Sequence, residues 1–343
     1  MKNAASSAGE EPRQPDEGGI FLFGMERSGT TLLSMIVGSH PDIAVPLATA
    51  GLWYDVADRR GFHAPGSEVD QVTLVQELLE HERIRRWDCE LTSDDVLPLC
   101  RGGNYPSLIA AFHQAYANAQ GKPTWANLDI ATLDRLHTMN DWFPNARFVH
   151  IYRDARDVAI SHQTMPYGSG NLAECADAWS RRLTVNLRMG QILGPKRYMT
   201  ISYEKLVNDP EPVLRELCRF LGVSFSTEML SYAEMADAKI PHDRRWLWPN
   251  LVGPLDQKAA HRWRRAMSMT RRIVVERYAG GLLKELGYET LEPLPRRLGA
   301  EALDLACFLD RGGRTKRTLQ KFGLRRPSLL ERRWRDRPEN ARS

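Results

Sequence analysis

One short polar turn near the start of the chain has residue types suited to holding an anion. Residues 21–33 read FLFGMERSGTTLL, in which an apolar run precedes a turn bounded by Gly24 and Gly29. A stretch rich in Leu, Met and Ile follows from Ser28 to Val37. This order predicts a buried parallel strand, a loop and a helix. In such a unit, backbone N–H groups and the N-terminus of the helix form a phosphate-binding cradle.

The turn differs from an ATP-binding loop at one informative position. Thr30 stands where the G-x-x-x-x-G-K-[ST] loop has its lysine, and the chain has no recognisable Walker B acid, which argues against a P-loop kinase or ATPase. Arg27 instead places a cation within the loop, beside the hydroxyl groups of Ser28, Thr30 and Thr31. A guanidinium with several hydroxyl donors suits a terminal oxyanion held without a metal. From these residues alone, a glycine turn with a solvated Arg27 remains the alternative.

A second polar turn follows a later apolar run. Residues 147–161 read RFVHIYRDARDVAIS, again a strand, a polar turn and a helix. Together, R-S-G-T-T and R-D-x-R-D-V-x-x-S resemble the motifs of the PAPS-dependent sulfotransferases (PAPS is 3′-phosphoadenosine 5′-phosphosulfate). The resemblance extends from Ile20 to about Glu289 and is strongest to the bacterial, tyrosylprotein-sulfotransferase-like branch. It implies that Arg153 and Ser161 hold the 3′-phosphate, and that the 5′-phosphosulfate is held by Arg27, Ser28, Gly29, Thr30 and Thr31.

The same resemblance assigns further residues to the cofactor. Tyr203 matches a family tyrosine near the adenine, although a tyrosine packed at a strand end is an equally good interpretation. Family members close the cofactor site with a basic residue in a loop before a tryptophan. Lys258, ahead of Trp263, is the predicted counterpart, with Arg262 and Arg264 as alternatives.

Sulfuryl transfer needs donors fixed around the transferring group and a base near the acceptor. Arg27 fits the first role. For the second, the resemblance implies a glutamate after the His-Pro-Asp segment and a lysine in W-G-D-K-T-P, but this chain has Ala48 and Leu128 at those places. The titratable residues considered as a replacement base are Asp129 and His63, with Asp55 in addition.

Asp129 is the first of these, because it follows the lost lysine position at a predicted strand end. The alternative for Asp129 is a cap for the helix that begins near Ala131. The acceptor could also be a group that is already nucleophilic and needs little help from a base, such as an amine. The predicted function is therefore sulfuryl transfer from PAPS to a hydroxyl or amine of a small-molecule acceptor. A catalytically altered protein that binds PAPS or its product PAP is the alternative.

Composition limits the class of protein. The chain has 343 residues with 42% hydrophobic content, enough for one large α/β domain, predicted at 20–300. No apolar run approaches the roughly 18–20 residues of a membrane span. Five cysteines without a C-x-x-C pair favour a reduced, cytoplasmic protein, and neither a structural zinc nor a required metal is predicted. The net charge of +4 is too small to imply a nucleic-acid partner.

The pattern along the chain predicts the organisation. Strands alternate with helices, which predicts a P-loop-like parallel sheet with helices on both faces and ligands at the carboxyl ends of the strands. Residues 50–121 form a predicted helical insertion on the acceptor side, with Ser107 as the N-cap of its last helix. Residues 1–19 are predicted to be a disordered leader. The basic extension at 301–343 is predicted to be solvated, with contact to an anionic surface or partner as the alternative.

Overall fold

The computed structural model describes residues 18–47, 49, 51–165, 168, 170–240, 251 and 253–291. Most of the predicted leader, the whole basic extension and Ala48 lie outside the described residues. Five strands form one parallel sheet in the order β2-β3-β1-β4-β5. They are β1 (Ile20–Phe23), β2 (Ile43–Ala44), β3 (Thr124–Leu128), β4 (Arg147–Tyr152) and β5 (Tyr198–Ser202).

Helices cover both faces of this sheet. The first is α1 (Thr30–Gly38), and four helices of the predicted insertion follow: α2 (Leu52–Arg60), α3 (Gln71–Leu79), α4 (Ser93–Val96) and α5 (Tyr105–Ala119). The next are α6 (Thr132–Trp142), α7 (Ala155–Thr164), α8 (Leu172–Leu193), α9 (Tyr203–Asn208) and α10 (Pro210–Leu221). The last are α11 (Tyr232–Lys239), α12 (Trp263–Ala266) and α13 (Met269–Glu285).

Strand β1 explains why the sheet is buried on both faces. Ile20 and Leu22 pack into one hydrophobic cluster, whereas Phe21 and Phe23 pack into the other. All four side chains are buried. A parallel strand between two helix layers requires this continuous apolar run, because neither of its faces meets water. The predicted α/β fold with a parallel sheet is confirmed.

One helix start differs from the prediction. The cap of α5 is Asn104, whose side chain accepts from the N–H of Ser107 at 2.9 Å, and Ser107 itself lies inside the first turn. Pro106 also lies in that turn, where its missing N–H costs nothing. The prediction of Ser107 as the N-cap was therefore wrong by one turn. The sequence has two possible capping residues, Asn104 before Pro106 and Ser107 after it.

Two further features of the described residues concern membrane-spanning helices and cysteines. None of their helices is long and apolar enough to cross a membrane. Cys89, Cys100, Cys175 and Cys218 are free thiols.

Candidate functional site

A cavity of about 400 Å³ lies where β1, β4 and β5 end. Both polar turns that were singled out in the sequence contribute to its wall. The predicted residues that line it are Arg27, Gly29, Thr30, Thr31, Arg153, Ser161, Tyr203 and Lys258. The fold thus brings together residues more than 200 positions apart in the chain, because parallel strands expose all their carboxyl ends at one edge.

The first turn has an unusual backbone. Arg27 has φ of 71° and Gly29 has φ of 96°, so the loop passes twice through the left-handed region. This path sends the Arg27 side chain across to α7, where its Nε donates to Ser161 Oγ at 2.8 Å. The N–H groups of the first turn of α1 have no carbonyl partner within the helix. They are available to an anion beside Arg27.

Gly29 is required by close packing as well as by its backbone. A Cβ atom at this position would lie 2.5 Å from Cδ2 of Tyr203, which no side chain tolerates. The Tyr203 ring therefore packs directly against the loop, at the start of α9. This is the ring that the sequence predicted to lie near the adenine.

Arg153 is held from several sides. Its Nη2 donates to the Ala259 carbonyl at 2.5 Å, and its guanidinium lies 4.2 Å from the centroid of the Tyr203 ring. Its Nε is buried and has no hydrogen-bond partner among the described residues. A fixed guanidinium with an unused N–H donor at a cavity wall is a suitable partner for a phosphate oxygen.

Asp157, one turn into α7, is a cavity residue that the sequence analysis missed. Its Oδ1 accepts from the Trp263 N–H at 2.8 Å, and its Oδ2 lies 3.7 Å from Arg153 Nη2. Burial raises the pKa of this carboxyl to about 6. The second aspartate of R-D-x-R-D was a signal for this residue, since a motif arginine often has a carboxylate that orients it.

The basic loop before α13 is only partly as predicted. Lys258 lines the cavity, and so do Arg262 and Arg265. Arg264 does not, because it points to Glu289, with Nη2 at 2.7 Å from the carboxylate. Arg265 was not considered from the sequence, although five arginines within 262–272 mark the segment as strongly cationic.

Ser28 departs from the prediction. Its N–H donates to the Met25 carbonyl at 3.0 Å, and its hydroxyl is buried on the side of Trp179 and Leu183. Neither group faces the cavity. The positive φ of Arg27 turns the chain so that alternate residues of the loop face opposite sides.

Asp129 has a structural role next to the start of α6, although the N-cap residue of this helix is Ala131 and not Asp129. Its Oδ1 accepts from the N–H groups of Gly51 at 2.8 Å and Ala131 at 2.9 Å, which joins the helical insertion to the end of β3. The side chain is completely buried and does not line the cavity. Burial raises the pKa of its carboxyl to about 6. This placement does not favour Asp129 as a base.

The other proposed bases also lie away from the cavity wall. His63 is exposed, with Nδ1 at 3.9 Å from Asp58, and Asp55 is exposed in a pair with Arg83 at 3.0 Å. Leu128 ends β3, and its carbonyl accepts from the hydroxyl of Thr49. The structure thus brings the predicted cofactor residues other than Ser28 together in one cavity, but none of the predicted bases.

The raised pKa of Asp129 predicts a pH effect on stability. The native carboxyl keeps its proton up to about pH 6, whereas the unfolded one loses it near pH 4. The folded state therefore binds more protons in this window, and stability falls as pH rises through it. In the Asp129→Asn variant, the free energy of unfolding should fall by roughly 2–3 kcal/mol less between pH 4 and 7 than in the wild type. Urea unfolding at several pH values measures this difference.

A matched control for this measurement is Asp177→Asn. Asp177 is exposed and pairs with Arg181 at 2.9 Å, so its replacement should leave the slope of stability against pH nearly unchanged. A variant of Asp129 with the same slope as the wild type would contradict the assignment of the raised pKa to this carboxyl.

Fold and cavity together define a class: an α/β protein with a P-loop-like turn and a cationic cavity at the carboxyl edge of a parallel sheet. A family model described as the sulfotransferase family matches residues 19–227, well over half of the chain. The chain belongs to the sulfotransferase family.

Individual comparisons agree with this membership. A protein-tyrosine sulfotransferase of Drosophila melanogaster is 25% identical over 228 residues, which are 63% of this chain and 40% of that protein. A putative protein-tyrosine sulfotransferase of Caenorhabditis briggsae is 25% identical over 284 residues, covering 80% of this chain and 91% of that one. The solved sulfotransferase domain from the curacin biosynthetic pathway has 19% identity and a TM-score of 0.56, covering 80% and 99% of the two chains. The chain therefore spans less than half of the Drosophila relative, and the last comparison shows the fold.

Proposed function

We propose that this protein transfers a sulfuryl group from PAPS to a hydroxyl or amine of an acceptor. The observation that carries the proposal is the contact between the two motifs. Arg27 Nε reaches Ser161 Oγ at 2.8 Å across 134 positions of sequence, inside a cavity that also contains Arg153. A site for a single phosphate would need only one of these two turns.

The two turns have separate roles in this proposal. Arg27 and the N–H groups that begin α1 bind the end of the cofactor that carries the sulfuryl group. Arg153 and Ser161 bind the 3′-phosphate, and the unused Nε of Arg153 supports this assignment. The bound PAPS supplies a sulfuryl group with a good leaving phosphate. The protein supplies fixed charge, which stabilises negative charge on the peripheral oxygens and the leaving group.

The charge of the wall supports a ligand with several negative groups. Arg27 and Arg153 are joined by Lys258, Arg262 and Arg265, whereas the acidic side chains of the lining are Asp157 and Asp256. Five cations against two carboxylates leave an excess of three positive charges. A ligand with a 5′-phosphosulfate and a 3′-phosphate offsets this excess better than a singly charged one.

The nature of the acceptor belongs to the proposal as well. The helical segment 51–121 joins the sheet at Asp129 through Gly51, and we assign it the acceptor side of the site. Relatives named as protein-tyrosine sulfotransferases make a phenolic hydroxyl a reasonable first acceptor to test. The small-molecule acceptor, the cytoplasmic location and the independence from metal stay predictions.

Binding of PAP provides the direct test. The protein should bind PAP at least tenfold more tightly than AMP, and without Mg²⁺, because a lost charge-assisted phosphate contact costs roughly 1.5–3 kcal/mol. Titration calorimetry of both nucleotides, with and without a chelator, gives the two dissociation constants. Equal affinities would remove the support for a 3′-phosphate site.

A pair of arginine variants locates that site. Arg153→Ala should abolish most of the preference for PAP over AMP. Arg264→Ala removes the same charge from a side chain that faces Glu289 and not the cavity, so it should keep the preference. If the Arg153→Ala variant kept the preference for PAP over AMP, the second motif would not bind the 3′-phosphate.

A further inference from the structure

In-line displacement sets where a base must lie. The acceptor attacks the sulfuryl group from the side opposite the leaving phosphate, so its proton is released beyond the nucleotide cavity and not inside it. The base should therefore lie next to the loop that holds the sulfuryl group, but outside the lining of the cavity. It must also be reachable from solvent, which excludes the completely buried Asp129.

Glu26 meets these conditions. It directly precedes Arg27 in the loop and is absent from the residues that line the cavity. Its side chain is 30% exposed. Arg27 reaches across the cavity to Ser161, and Glu26 is the neighbour in the chain of this cation, which the sulfuryl group would contact.

The surroundings of Glu26 form a charged cluster at the same edge of the sheet. Arg182, on α8, places Nη1 at 3.8 Å from Glu26 Oε2 and donates through Nη2 to Asp134 Oδ2 at 2.6 Å. A distance of 3.8 Å is too long for a hydrogen bond, so Arg182 lies beside the carboxylate without occupying its oxygen. Asp134 lies in the first turn of α6, which follows β3 directly.

His162 completes the cluster from α7. It follows Ser161, is buried, and makes a hydrogen bond to the backbone of Glu26. Its Nε2 has no hydrogen-bond partner among the described residues. Burial lowers the pKa of the ring, which keeps it neutral beside Arg27 and Arg182. The ring fixes the backbone at Glu26 and adds no charge that would compete with Arg182.

We propose that Glu26 is the general base of the reaction, an inference that rests on the sulfotransferase function proposed above. The acceptor oxygen forms a bond to sulfur while the bond from sulfur to the 5′-phosphate oxygen breaks, and PAP leaves with that electron pair. The proton of the acceptor hydroxyl passes to the Glu26 carboxylate. No oxidant, reductant or further reactant is required.

Two acceptors of different acidity test the role of Glu26. Phenol holds its proton at neutral pH, with a pKa of about 10 like that of tyrosine, whereas 4-nitrophenol is substantially ionised at mildly alkaline pH. Glu26→Gln should lower the rate of sulfuryl transfer from labelled PAPS to phenol by about 10²-fold, and transfer to 4-nitrophenol far less. The affinity for PAP, measured by calorimetry, should stay as in the wild type. Glu26→Asp should recover part of the rate on phenol.

Asp177→Asn is the matched control, because it also removes a carboxylate paired with an arginine of α8, on an exposed surface. It should change neither rate. An equal loss on both phenols after Glu26→Gln, or no loss on either, would overturn the assignment, as would a wild type that binds PAP but sulfates neither phenol. A wild type that does not bind PAP would instead overturn the proposed function.

Discussion

Replacing Arg27 by alanine is expected to lower the rate of sulfuryl transfer by about 10²–10³-fold, the usual effect of losing one preorganised charge at a transition state. The side chain crosses the cavity and is held by Ser161 Oγ at 2.8 Å, so its position does not have to be organised during the reaction. The rate is measured with saturating labelled PAPS and phenol. Arg27→Lys should be intermediate, since an ammonium keeps the charge but not the planar fork.

A glycine variant separates this chemical role from the role of Arg27 in the fold. Arg27 has φ of 71°, a conformation that costs a residue with a Cβ atom roughly 1–3 kcal/mol. Arg27→Gly removes this strain together with the guanidinium, so the rate should fall as in Arg27→Ala while the unfolding temperature does not fall. A large loss of stability in Arg27→Gly would show that the side chain mainly supports the fold. A rate close to that of the wild type would contradict its catalytic role.

The sequence predicted the fold well where two local signals agreed. Each of the two polar turns lies between an apolar run and a helical pattern. A short continuous apolar run is typical of a parallel strand that is buried on both faces. Strand β1 was placed correctly for this reason. The juxtaposition of Arg153 with the first loop followed from topology, because both turns come after strands of one parallel sheet.

Side-chain direction within a loop is what local patterns do not specify. Ser28 has the type and position of a phosphate ligand, yet the backbone at Arg27 turns its hydroxyl into the core. Asp129 is likewise one residue past a strand end, where its burial depends on the insertion that covers it through Gly51. Glu26 gave no signal in the sequence, since its significance depends on partners on α7 and α8 that are more than 130 residues away.

The second motif also contains an arginine with a structural role, Arg156. The sequence did not distinguish it from Arg153 and Ser161, which are predicted to bind the cofactor. Arg156 is buried and donates to Asp154 through Nε at 2.9 Å and Nη2 at 2.7 Å, and its Nη1 donates to Glu276 at 2.8 Å and to the Glu289 carbonyl at 2.7 Å. Its guanidinium lies 3.7 Å from the centroid of the Trp263 ring. Asp154 in turn accepts from the N–H of Arg156 at the start of α7. Arg156 therefore links the turn that carries Arg153 to α12 and α13.

Arg156→Met should consequently destabilise the protein by about 3–5 kcal/mol, the usual cost of removing one member of a buried ion-pair network. Asp154 would lose both of its hydrogen bonds to the guanidinium. Glu276 would keep Arg272, which donates through Nε at 2.5 Å, and the N–H of Leu291 at 2.6 Å. Urea unfolding measures the loss. Arg181→Met, which breaks the exposed pair with Asp177, should cost less than about 1 kcal/mol.

A second substitution distinguishes charge from packing in this network. In Arg156→Met combined with Asp154→Asn, the carboxylate that has lost its guanidinium partner is neutralised together with the arginine, so part of the lost stability should return. If packing of the guanidinium against Trp263 were the main contribution, the double variant would be at least as unstable as Arg156→Met. A loss below about 1 kcal/mol for Arg156→Met itself would contradict the role of the network. Because the network fixes the turn that carries Arg153, any destabilisation that loosens this turn should also weaken PAP binding more than AMP binding.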